Sequence, residues 1–100
     1  MMLLFYLYNI VTVWGAVMTK RVVQRTQTGV RIETSLLKVL KGLAEYTDLS
    51  LGDLLEGIVL HSFEGKAPFS PETRAVIEQL KSVYGCTLTA ADSHQLEERA

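Results

Sequence analysis

The stretch that most constrains this chain is residues 28–32, Thr-Gly-Val-Arg-Ile, because it alternates like a β-strand and no other run in the chain does. Successive side chains of a strand point to opposite faces, so Thr28, Val30 and Ile32 fall on one side and Gln27, Gly29 and Arg31 on the other. The first set is β-branched, which suits a pleated, half-buried surface. A strand without a neighbour leaves its N–H and C=O groups unpaired. Either the segment pairs with its own copy in another chain, or it is a loop.

Two helical patterns follow at once. Leu36, Leu37, Val39, Leu40, Leu43 and Ala44 recur at the i, i+3, i+4, i+7 spacing and predict a helix over 34–46. Thr34 or Ser35 is the expected cap of its start, and Lys38 and Lys41 point away from the stripe. Gly42 is a small cost inside that helix and would permit a close crossing. A turn at 47–49 leads to Ser50, expected as the next N-cap, with Asp53 three residues on as a variant of the capping box. Leu51, Leu54, Leu55, Ile58, Val59 and Phe63 form the second stripe, which fades near Phe63. Residues 28–64 make a unit of 37 residues, and chains below about 40 residues usually need a disulfide, a metal or a partner chain to fold. Cys86 is the only cysteine, so neither an intrachain disulfide nor a cysteine-based metal set is available. Without a cationic cluster beside it in sequence, Cys86 reads as an inert tail residue rather than a reactive thiol. A partner chain is what remains.

Outside that unit the chain divides simply. Residues 65–70 are a linker. A further helix is expected over 71–85, with Ser70 as N-cap, Pro71 at its first position and Gly85 as its stop. Residues 86–100 are polar and expected to fray. At the other end, residues 1–17 carry no charge. They are short for a membrane span, which needs about 20 apolar residues, and they lack the positive n-region of a secretory signal. Met18 opens MTKRVVQRTQ, which looks like an ordinary start. The expectation is therefore a misassigned start upstream of Met18 and a cytoplasmic protein, with a membrane anchor flanked by Lys20 and Arg21 as the alternative.

Charge is distributed unevenly. The net charge is −1, yet Lys20, Arg21, Arg25 and Arg31 are the only charges in the first 32 residues and all 11 acids lie at Glu33 or later. That asymmetry suits a basic arm, residues 18–27, facing an anion and an acidic remainder facing water.

Strand, helix, turn and capped helix in this order resemble the ribbon-helix-helix family of Arc/MetJ/CopG-type repressors. The resemblance rests on the inward alternation Thr28/Val30/Ile32, the Leu40-Leu43-Ala44 ending of the first helix and the Leu49-Ser50-Leu51 approach to the second. It covers about 37 of the 100 residues. It implies a mainly α fold in which one short strand pairs antiparallel across an obligate homodimer, here with an additional C-terminal helix. The dimer core would be Val30 and Ile32 from the ribbon, Leu36, Leu40 and Leu43 from the first helix, and Leu54, Leu55 and Ile58 from the second. In that family the ribbon enters the major groove of DNA; the outward positions here are Gln27, Gly29 and Arg31. Arg31 suits guanine O6 and N7 and Gln27 suits adenine N6 and N7, each pair giving about 1–3 kcal/mol of discrimination. Backbone N–H groups at the start of the second helix, at Ser50, Leu51 and Gly52, would grip a phosphate, and Lys20, Arg21 and Arg25 would add salt-sensitive attraction. Two positions depart from the pattern: Gly29 offers no side chain to a base, and Asp53 sets a negative charge beside the phosphate position.

The expected function is thus that of a dimeric, sequence-specific transcriptional regulator, a repressor that blocks its operator sterically. The alternative is an antitoxin-like or other protein-interaction module in which residues 70–100 wrap a partner; a purely structural dimer is a third reading. Nothing points to an enzyme. Ser50, Asp53 and His61 have nothing to orient them as a triad, and His61 reads as a partly buried packing residue. His61 and His94 are isolated and make no metal site, and no phosphate-binding glycine loop appears. No cofactor is expected.

Overall fold

In the computed structural model, which describes residues 20–99, the chain is mainly helical. Three helices follow one another, α1 (Thr34–Thr47), α2 (Leu51–Phe63) and α3 (Pro71–Tyr84), and a single 3₁₀ turn, Ala90–Asp92, closes the series. No strand is present among the described residues, and residues 20–33 run outside any helix. The alternating run at 28–32, expected as a strand, forms none within this chain, where no neighbouring segment pairs with it.

Each helix is bounded by side chains of the right chemistry. The cap of α1 is Glu33, not Thr34 or Ser35: its carboxylate accepts from the Leu36 N–H at 2.9 Å and from the Ser35 hydroxyl at 2.7 Å. One residue before the expected pair, it reaches the same orphan donor that a serine would. The far end of α1 closes on Asp48, which is left-handed at φ 60° and ψ 40°, and the Leu49 N–H bonds back to the Ala44 carbonyl at 2.9 Å. The Thr47 hydroxyl adds a bond to the Leu43 carbonyl at 2.9 Å. Ser50 caps α2, its Oγ accepting from the Asp53 N–H at 3.1 Å. Ser70 does the same for α3 from the Thr73 N–H at 3.2 Å, with Pro71 as the first helical residue and Gly85, at φ 66°, as the stop.

The core forms where α1 meets the other two. Leu43, Ala44 and Leu54 are buried together, and Leu40, Ile58, Phe69, Ile77 and Leu80 pack around them. Helix α1 is the central element, packed against both α2 and α3. Gly42 is where α3 comes closest. A Cβ there would stand 3.1 Å from Leu80 Cδ2 and 3.6 Å from the Tyr84 ring, so the close crossing expected of this glycine is made with α3.

The chain after Gly85 does not simply fray: Cys86 is 4 % exposed, the Lys81 ammonium donates to the Leu88 carbonyl at 2.8 Å, and the Thr89 N–H donates to Asp92 at 2.8 Å. Cys86 is thus a buried residue rather than part of a loose tail. His61, in contrast, is exposed rather than packed, its Nδ1 lying 2.7 Å from the Gly57 carbonyl one turn earlier. The apolar stretch at residues 1–17 lies outside the described residues. No helix among those described is long and apolar enough to cross a membrane.

Candidate nucleic-acid interface

The three outward residues of the alternating segment, Gln27, Gly29 and Arg31, are all exposed. So is Val30, at 73 %, while Ile32 is half-buried against the body. The inward set is thus only partly covered within one chain. The other core positions divide likewise: Leu43 and Leu54 are buried, Leu40, Leu55 and Ile58 are half-buried, and Leu36 is 38 % exposed.

Helix α2 explains much of this. Its inner side consists of Leu54 and Ile58, which reach the core. A second row, Leu51, Leu55, Val59 and Phe63, follows at four-residue intervals and so lies along one side of the helix. That row is progressively more open, from half-buried Leu51 and Leu55 to Val59 at 43 % and Phe63 at 81 %. Leu54 is the only buried residue of α2.

The start of α2 carries the other half of the candidate interface. The Asp53 N–H is taken by Ser50 Oγ and the Leu54 N–H by the Ser50 carbonyl. The Leu51 and Gly52 N–H groups have no partner among the described residues, as expected of a first helical turn. Gly52 is exposed, and the nearest atom to a Cβ built there is Ser50 Oγ at 4.0 Å. An anion therefore meets free donors, the positive end of the helix and an unobstructed approach.

Arg25 is brought to the same place. Its guanidinium donates to both oxygens of Glu56, at 2.9 and 2.8 Å, and to Asp53 at 3.2 Å. These hydrogen bonds and charges push the Arg25 pKa upward and hold the Glu56 carboxyl below the ordinary carboxylate range. One guanidinium faces two carboxylates, so the cluster at the start of α2 keeps a net negative charge, which opposes an anion there. Arg25, expected to add salt-sensitive attraction to phosphates, is here paired with Glu56 and Asp53 on α2. Lys20 and Arg21 stay exposed. Arg31 follows Arg25 by six residues, so chain length alone keeps them within about 20 Å.

Arg31 has an ion-pair partner of its own, Glu98. Arg31 Nε donates to one carboxylate oxygen at 3.2 Å and its Nη2 to the other.

The comparisons add no relative. No family model matches the chain, and neither curated proteins nor solved structures gave a match.

The pairing of Arg25 and Arg31 with three acidic side chains is not among the sequence expectations. Asp53 and Glu56 stand one turn apart on a helix, a spacing that puts both carboxylates on one face, and this was a readable signal. Glu98 gave none, since 67 residues separate it from Arg31. Among the described residues no cluster of histidine, cysteine and acidic side chains has the makings of a metal site.

Proposed function

We propose that this chain is a dimeric, sequence-specific DNA-binding regulator of ribbon-helix-helix type, acting as a repressor by occupying its operator. Residues 28–32 of two copies pair antiparallel, and the ribbon presents Arg31 and Gln27 twice to the edges of bases in the major groove. The Leu51 and Gly52 N–H groups and exposed Lys20 and Arg21 hold phosphates on either side.

The observation that carries this reading is the unfinished state of one chain. The strand-like segment is exposed at Val30, and the row Leu51, Leu55, Val59 and Phe63 runs along α2 with its far end open. A second copy covers both at once, and a two-fold contact of this kind is self-complementary. The interaction-module reading draws less support, because α3 spends Ile77 and Leu80 on the core.

The test is Arg31→Ala. The parent is expected to select an operator from genomic fragments and to protect two symmetric half-sites. The variant is expected to keep the dimer mass and lose that preference, at about 1–3 kcal/mol for each reading arginine removed. A variant that protects the same bases as the parent would show that the ribbon is not the reader.

A further inference from the structure

We propose that the acidic end of the chain is a built-in competitor for the reading face, a latch in which Glu98 occupies the Arg31 fork that a guanine edge would otherwise take. The inference rests on the DNA-reading role given to Arg31 above. A carboxylate offers two acceptor oxygens side by side, as guanine offers O6 and N7, and the planar guanidinium meets both with the same pair of N–H groups. In the structure Arg31 makes that two-pronged contact with Glu98 through Nε and Nη2.

The chain before Glu98 is led there. Buried Cys86 ends the α3 side of the path, and the Lys81–Leu88 bond at 2.8 Å fixes the next step. Leu88 and Ala90 then line an open groove of about 300 Å³ together with Leu36 and Leu40 from the first half of α1. The Thr89–Asp92 bond closes a turn at that point. Leu36 is only five residues beyond Arg31 in sequence. From Asp92 the remaining six residues span at most about 20 Å, enough to bring Glu98 back to the segment that precedes α1.

Strength suits the role. Both side chains are largely exposed, 82 % for Arg31 and 64 % for Glu98, and exposed ion pairs are weak and screened by salt. Such a latch does not block DNA; it raises the threshold a few-fold and favours sites that reward Arg31 with a guanine. Glu97, the neighbouring acid, makes no ion pair among the described residues and is the natural control, because E97Q and E98Q change net charge equally.

The experiment measures binding of the full chain to its selected operator duplex and to a random duplex by fluorescence anisotropy, at low and raised salt. E98Q is expected to bind the duplexes about two- to fivefold tighter than E97Q at low salt, with the difference shrinking as salt rises and vanishing in an R31A background. In the DNA-free protein, the Arg31 Nε–Hε resonance is expected to move in E98Q and stay put in E97Q. Equal binding by E97Q and E98Q, alongside normal operator binding by the parent, overturns the latch and leaves the regulator reading standing. An unmoved arginine resonance overturns the contact whatever the DNA result. Failure of the parent to bind any duplex overturns the regulator reading, and the latch falls with it.

Discussion

Asp48 sits in the left-handed region, at φ 60°, a conformation that aspartate tolerates and β-branched residues do not. Replacing it with valine is expected to lower stability by about 1–2 kcal/mol, seen as a fall in the urea midpoint with unchanged slope, while glycine is accepted there. Ser50→Ala removes the acceptor for the Asp53 N–H and is expected to cost about 1 kcal/mol. The acid side of the stability curve has a residue-level cause too. The hydrogen bond from the Ser35 hydroxyl, followed by that from the Leu36 N–H, holds the Glu33 carboxyl below its ordinary range, and Arg25 does the same for Glu56. A carboxyl whose pKa is lower in the folded state binds its proton more readily when unfolded. Its contribution is present above the unfolded value and is lost as pH falls through the folded one. Stability is therefore expected to decline below about pH 4, and the decline is expected to be shallower in a Glu33→Gln, Glu56→Gln double variant. An identical acid limb in the two proteins would remove these groups from the account.

At the scale of elements, α2 and α3 were legible because their boundaries are written in local chemistry: Ser50, Ser70 with Pro71, and Gly85 each act within one turn of the helix they limit. Helix α1 starts at Thr34, as its periodicity predicts, and only its cap differs: Thr34 and Ser35 are the commoner capping types, while Glu33 does the capping. What periodicity does not reveal is which neighbour a stripe meets. The Leu36-to-Ala44 stripe reads equally well as a dimer face or as an internal one, and part of it packs under α3. The Arg31–Glu98 pair joins residues 67 apart in sequence, so no local pattern announces it. The tight approach at Gly42 makes a direct check: Gly42→Leu drives a side chain into Leu80 and Tyr84, and is expected to cost about 1–3 kcal/mol and expose Cys86 to thiol reagents. On α2 the open row predicts that Val59→Lys leaves the helix content of the chain intact but raises the dimer dissociation constant, read by sedimentation equilibrium.

For the molecule as a whole, the proposed regulator works only as two chains. One chain supplies a helical body with a core around Leu43, Ala44 and Leu54, an exposed segment at 28–32 and an arm tied to α2 by Arg25. In the proposed dimer, a second chain would add a ladder for the segment and cover for the outer row of α2. The measurement that tests this most directly is amide hydrogen exchange across residues 28–32 as protein concentration is varied. Protection there is expected to rise with concentration in step with a mass twice that of the 11.2 kDa chain. Fast exchange of those amides at every concentration, in a protein that stays folded at the mass of a single chain, would contradict it.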